Sequence, residues 1–223
     1  MSAFYAAARA LEHESLALDA VLAAGLRSDS SYVDVGCNRG QVLREAVRIA
    51  PRGRHFAFEP IPALADELTR GFPEVDCRRL ALGARRETAQ FCHFTRLDGW
   101  SGLRKNPEID DERGAPEYIE VQVSTLDEEL DGETPALIKI DVEGAELEVL
   151  QGARGLLERA RPTIVFEHVA ATSSLYGDRP GALWDLLAGL DYRIMSIMGQ
   201  GPFDRSQFVA PSATVNWLAT PDG

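Results

Sequence analysis

A single α/β domain with a mostly parallel sheet is what three features of the 223-residue sequence predict. Short β-rich runs alternate with helical stretches from Tyr32 onward. A glycine-containing loop, DVGCNRG at Asp34 to Gly40, joins the first run to the first of those helices. Apolar residues make up 45% of the chain, enough to fill one core. Strand–helix–strand alternation requires right-handed crossovers, which lay parallel strands side by side with helices on both faces. At this length one domain spanning residues 1–223 is expected, with 1–27 as a helical extension and 28–223 as the core.

From about Ala3 to Leu26, Leu11, Leu18, Val21 and Leu22 recur at helical intervals and the pattern stops at Gly25, a C-cap signal. YVDV then leads into QVLREAVRIA, and RHFAF into ALADELTRGF, each a strand followed by a helix. VDCRRLAL reads as a third strand. TAQFCHF and EYIEVQV alternate like a β-hairpin insertion, and the polar, turn-rich connection from Arg96 to Pro116 is either a lid or binding loop or a disordered excursion. ALIKI is a buried strand, Ala145 to Arg159 one helix, PTIVFEH a strand and Gly181 to Leu190 a helix. RIMSIM and ATVNWLA close the chain as strands, antiparallel because so few residues separate them.

Composition narrows the partners. A formal charge of −12 opposes binding to a phosphate backbone, so a large nucleic-acid substrate is disfavoured. No apolar run reaches the roughly 18 residues of a membrane span, and no signal peptide is visible, so a cytoplasmic protein without a membrane partner is expected. Cys37, Cys77 and Cys92 have no CxxC spacing, which speaks against both a disulfide framework and a zinc cluster.

In the loop, Gly36 permits a sharp turn and close backbone approach, Asn38 tolerates unusual backbone angles, and Gly40 lets the helix pack near the strand. Such glycines also occur for packing alone. A dinucleotide site would show G-x-G-x-x-G; here the spacing is D-x-G-x-N-x-G. The acid matters, because a carboxylate repels a pyrophosphate and attracts the sulfonium and ammonium of S-adenosylmethionine (SAM). Glu59, in FAFEP at the end of the next strand, suits a ribose diol or the start of the following helix; beside Asp34 the ribose role is favoured.

DVGCNRG, FEP at Phe58 to Pro60, ALG at Ala81 to Gly83, LIKIDVEGAELEVLQGA at Leu137 to Ala153 and the terminal NWLATP together resemble the FkbM family of methyltransferases, across roughly Ser31 to Pro221. The resemblance implies a Rossmann-like class I methyltransferase fold: a mostly parallel seven-stranded sheet with an antiparallel strand near the C-terminus. It implies SAM as donor, S-adenosylhomocysteine as product, and usually an oxygen of a small molecule as acceptor. It places the methionine part of SAM on Asp34, Gly36, Cys37, Asn38 and Gly40, with Cys37 standing where alanine is more usual. Ribose falls to Glu59, and the adenine pocket to Pro60, Ile61, Ala81 and Leu82.

Methyl transfer needs an aligned nucleophile and a destination for its proton, so a base is sought beside the sulfonium. Asp141 follows the ALIKI strand and can take that proton or orient the methionine amine; Glu167 and His168 end the next strand. Asp141 could otherwise cap the following helix, the role favoured for Glu143. His168, with an intrinsic pKa of ~6.5, is a candidate base or a structural residue. Asp141, Glu167 and His168 could hold a divalent ion, but strand alternation points the last two to opposite faces, and metal-free transfer is preferred. Trp100, Ser101, Arg104 and Tyr176 are the acceptor-recognition candidates. His55 and His93 receive no role. N-methylation, an NAD-dependent reaction and a scaffold without turnover remain as alternatives, and a monomer or a homodimer fits equally.

Overall fold

A computed structural model describes residues 3–105, 115–177, 179–212 and 214–222, with side chains from residue 12 onward. Helix α1 (Ala3–Gly25) precedes β1 (Tyr32–Val35), α2 (Gln41–Ile49), β2 (Phe56–Phe58), α3 (Pro62–Gly71), β3 (Asp76–Arg78), β4 (Ala81–Leu82) and β5 (Glu87–His93). Then come β6 (Glu117–Ser124), α4 (Leu126–Glu129), β7 (Leu137–Ile140), α5 (Glu146–Gln151), α6 (Arg154–Ala160) and β8 (Thr163–Glu167). The chain closes with α7 (Ala170–Ser173), α8 (Ala182–Ala188), β9 (Tyr192–Ser196), α9 (Arg205–Phe208) and β10 (Asn216–Pro221). None of the described helices is long and apolar enough to cross a membrane.

Seven strands form one sheet in the order β3-β2-β1-β7-β8-β10-β9. It is parallel from β3 to β8, and β10 runs antiparallel to both its neighbours, β8 and β9. The expected seven-stranded architecture is therefore present. The hairpin insertion is also present, as β5 and β6 pair antiparallel from Glu87↔Val123 to His93↔Glu117. Residues 106–114, the middle of the long connection read between Arg96 and Pro116, lie outside the described residues.

Two expected elements divide. VDCRRLAL is not one strand: Leu80 N donates to Arg78 O at 3.1 Å, the chain turns, and Ala81–Leu82 joins β6 in a separate three-stranded sheet. The helix read from Ala145 to Arg159 breaks into α5 and α6 around Gly152. A Cβ at Gly152 would lie 2.1 Å from the carbonyl oxygen of Gly83, so the break brings the helix against the start of the small sheet.

Alternation along the strands sorts the core. Val33, Val35, Phe56, Phe58, Ile138, Ile140, Ile164 and Phe166 face α5, α6 and α8. Tyr32, Ala57, Leu137 and Val165 face α1 and α2, meeting Leu22, Leu26, Leu43 and Ala46. That second face carries polar residues at its carboxyl end: Asp34 is paired in register with Lys139, and Glu167 with Asn216. Glu14 of α1 closes over them, accepting from Val215 N at 3.3 Å, Asn216 N at 3.2 Å and Asn216 Nδ2 at 2.8 Å.

Replacing Gly152 by alanine should cost about 1–3 kcal/mol, since the clash is with backbone. Gly71→Ala, where a Cβ meets nothing within 4 Å, should be neutral or mildly stabilising. Thermal denaturation of the two variants against the unaltered protein checks both.

Candidate active site

The loop after β1 is held by the neighbouring strand, for Gly36 N and Cys37 N both donate to Phe58 O, at 3.0 and 3.1 Å. Gly36 has φ +75, and a Cβ there would fall 1.8 Å from the carbonyl oxygen of Asp141. The close approach that requires glycine is thus to the end of β7. Gly40, at φ +70, is needed for a reason other than strand packing: a Cβ would come within 2.8 Å of Leu68 and Phe72 of α3. Asn38 also has positive φ, +49.

Two spaces open at the carboxyl ends of the strands. The first is lined mainly by apolar groups, among them Val35, Phe58, Pro60, Ile61, Ala81 and Leu82, with Glu59 in its wall. Glu59 is buried; its Oε2 accepts from Asn38 N and its Oε1 from Ile61 N, both at 2.9 Å. Burial pushes its pKa up to about 7 against those two hydrogen bonds. Each oxygen retains acceptor capacity, so holding the loop and accepting from a diol are compatible.

The second space is polar and lies under α1, with Glu14, Asp34, Cys37, Lys139, Asp141, Glu167 and Asn216 in its lining. Gly36, Asn38, Asp98, Gly99 and Asp141 line both spaces, which therefore adjoin. Lys139 Nζ stands 3.0 Å from Asp141 Oδ2 and 3.9 Å from Asp34 Oδ1; Lys139 and Asp34 are buried, while the Asp141 side chain is 34% exposed toward the cleft. Burial opposes the charged form of Lys139, yet Asp141 and Asp34 raise its pKa. Asp141 is likewise resisted by burial but held below the ordinary carboxylate range by Lys139 and by a hydrogen bond from Glu167. Burial and the Asp141 charge drive Glu167 the other way, so of the two Glu167 is the one that favours the proton.

Carboxylate oxygens of Asp141, Glu143 and Glu167 approach within 4.8 Å of one another. Lys139 supplies positive charge beside this group, and His168 is not part of it. His168 corrects the expectation of a shared site: strand alternation turns it to the opposite face, where it stacks on Phe208 at 5.1 Å and its Nδ1 meets Ser173 Oγ at 3.0 Å. There it lines a separate, largely apolar groove with Leu183, Val209 and Trp217, and burial lowers its pKa.

Glu143 departs from its expected helix role. It sits at φ +56, two residues short of the α5 cap at Ala145, and lines the apolar cavity; burial, then Asp141 and Glu146, raise its pKa to about 8. The acid at the helix start is Glu146, whose Oε1 accepts from Val142 N and Gly144 N. Among the acceptor candidates, Ser101 lines the cavity and accepts from Phe94 N at 3.0 Å. Trp100 is 41% exposed, and Arg104 stands over the Tyr176 ring at 5.9 Å; neither lines the two spaces, nor does Tyr176. Lys139, Asp98, Glu14 and Asn216 are site residues that sequence reasoning missed. For Lys139 a signal existed: a lysine inside a buried strand must have acidic partners.

Two solved methyltransferase structures share this fold. The chain superposes on a methyltransferase FkbM from Methylobacillus flagellatus KT with TM-score 0.54 at 18% identity, covering 87% of this chain and 44% of that one. A TehB-like SAM-dependent methyltransferase from Corynebacterium glutamicum gives 0.51 at 12% identity, with 93% and 88% covered. The methyltransferase FkbM domain model matches residues 34–194, and the chain belongs to that family. Relatives include methyltransferase sdnD of Sordaria araneosa, 31% identical over 161 residues, or 58% of this chain and 62% of the relative. The 2-O-methyltransferase NoeI of Sinorhizobium fredii is 30% identical over 155 residues, covering 60% and 62%. The chain thus matches less than two thirds of the length of either relative.

Buried carboxyls with raised pKa values bind protons in the folded state that the unfolded chain has released. Stability from Glu59, Glu143 and Glu146, raised from 4.5 to about 7, 8 and 7, is therefore full below 4.5 and lost as pH rises through those values. The melting temperature of the ligand-free protein should fall between about pH 5 and pH 8, with a shallower fall in Glu143→Gln.

Proposed function

We propose that this chain is a SAM-dependent O-methyltransferase acting on a hydroxyl of a small polar molecule. The observation that carries the reading is the meeting of the two spaces at Asp141: an apolar cavity with an acid in its wall adjoins a polar cleft that ends on the Asp141 carboxyl, 3.0 Å from the Lys139 ammonium. The residues suit the cofactor. Val35, Phe58, Ile61, Ala81 and Leu82 offer apolar faces to adenine, and Glu59 accepts from the ribose hydroxyls. Both carboxylate oxygens of Asp34 are buried without a hydrogen bond of good geometry; burial raises its pKa against weaker lowering by Lys139, Tyr32 and Cys37, and an ammonium brought beside it would favour the charged form. Lys139 already offsets part of the Asp34 charge, so orientation rather than bulk attraction is its contribution.

When bound, SAM supplies an electrophilic methyl group, and the protein's task is to position the acceptor oxygen and remove its proton. Asp141, kept ionised by Lys139, accepts that proton at a carboxylate oxygen. Glu167, protonated beside it, orients Asp141 through their hydrogen bond. The polar lining from Glu14, Ser15, Gln41, Arg96 and Asn216 favours a hydroxylated acceptor such as a sugar over an apolar one. The 2-O-methyltransferase name of one relative agrees with transfer to oxygen.

Calorimetry should show binding of SAM and S-adenosylhomocysteine, weakened about 10- to 100-fold by Asp34→Ala. Asp141→Asn should lower turnover by about 100- to 10,000-fold with cofactor affinity largely kept, read as labelled product from methyl-labelled SAM and a metabolite extract. No cofactor binding at millimolar ligand, or full turnover by Asp141→Asn, would remove the assignment.

A further inference from the structure

The β5–β6 turn crosses the boundary between the two spaces. Its base is pinned: Cys92 and Gly102 exchange backbone hydrogen bonds of 2.8 and 3.1 Å, and Ser101 Oγ receives Phe94 N. Its tip, Arg96 to Trp100, is free of such ladder bonds to the sheet and reaches the cofactor loop through one side chain. Asp98 Oδ2 accepts from Arg39 at 2.6 Å, and Asp98 Oδ1 from His93 Nε2 at 3.1 Å. Arg39 lies inside the Asp34 to Gly40 loop and divides its guanidinium between Asp98 and Glu67 of α3, the latter at 3.0 Å. A Cβ on Gly99 would stand 3.8 Å from Asn38 Nδ2, so the tip also comes near the loop at this point.

Asp98 and Gly99 line both the apolar cavity and the polar cleft. A ligand with its nucleoside in one and its amino-acid part in the other passes beneath them. A tip that lifts would uncover both spaces at once, and it is tied down by the Arg39–Asp98–His93 contacts.

We propose that the segment 94–104 is a lid over the cofactor, that Asp98 is the positioning residue that latches it to Arg39 and His93, and that opening of this latch gates release of S-adenosylhomocysteine. This rests on the cofactor reading above. The latch is an ion pair with one half-exposed partner, 55% for Arg39 against 17% for Asp98, so it is breakable and sensitive to salt. Glu67 continues to hold Arg39 when Asp98 departs, which keeps the loop in place while the lid moves. Lid opening that controls product release is a common limit on turnover.

The test is stopped-flow release of S-adenosylhomocysteine, chased by excess SAM, from the full chain and from Asp98→Asn, Arg39→Gln and the double variant. Each single change should speed release by roughly 5- to 20-fold, and the double variant should release no faster than Asp98→Asn alone, because the Arg39–Asp98 contact is already lost there. Added salt should speed release from the unaltered protein and leave the variants unmoved. Unchanged release rates, or effects that multiply in the double variant, would overturn the latch while leaving the cofactor site standing. Failure of the unaltered protein to bind S-adenosylhomocysteine would overturn the cofactor reading and the lid with it.

Discussion

The ammonium of Lys139 ties two strands together at the place where their polar ends would otherwise repel. Asp34 on β1 and Asp141 just beyond β7 both face it, at 3.9 and 3.0 Å, and Glu143 and Glu167 stand close by. Four carboxyl groups at one sheet edge cannot all ionise in a buried setting without a cation. With Lys139 present the charge resolves unevenly: Asp141 is pushed toward its ionised form, while burial pushes Glu143, Glu167 and Asp34 toward their protonated forms. Environments that push neighbouring acids apart in this way are how a site acquires a base and a hydrogen-bond donor at one pH.

The sheet's pleat makes that arrangement possible. Residues 34, 139, 167 and 216 fall on one face because each is an even step from an apolar residue packed under α1, while His168 and Trp217 fall on the other. One strand end thus serves a polar cleft and an apolar groove without mixing them. Helix α1 completes the cleft, and Glu14 fixes its height by taking three hydrogen bonds from Val215 and Asn216. Cleft and cavity meet along the loop after β1, so cofactor, base and lid share a few residues of backbone.

Much of this was legible locally. The acid-glycine loop, Glu59 and the residues after β3 follow their own strands in sequence, and strand–loop–helix order carries them to the sheet edge. Asp141 and Glu167 could be placed for the same reason. What stayed hidden are contacts between distant segments: Arg39 with Asp98 across 59 residues, and Glu14 with Asn216 across 202. No periodicity encodes such pairs. The glycines were legible as necessary, but their neighbours were not, since Gly36 yields to a carbonyl of β7's end and Gly40 to α3. The division of VDCRRLAL into two sheets was equally hidden, because both pieces satisfy the same β pattern.

The account turns on Lys139 keeping Asp141 charged beside a protonated Glu167, and carbon-detected NMR titration of carboxyl-labelled aspartate and glutamate reads this directly. Asp141 should titrate below the ordinary aspartate range and Glu167 well above the ordinary glutamate range, with Asp141 moving upward in Lys139→Met. Asp141 and Glu167 both titrating near ordinary carboxyl values, unmoved by Lys139→Met, would contradict it.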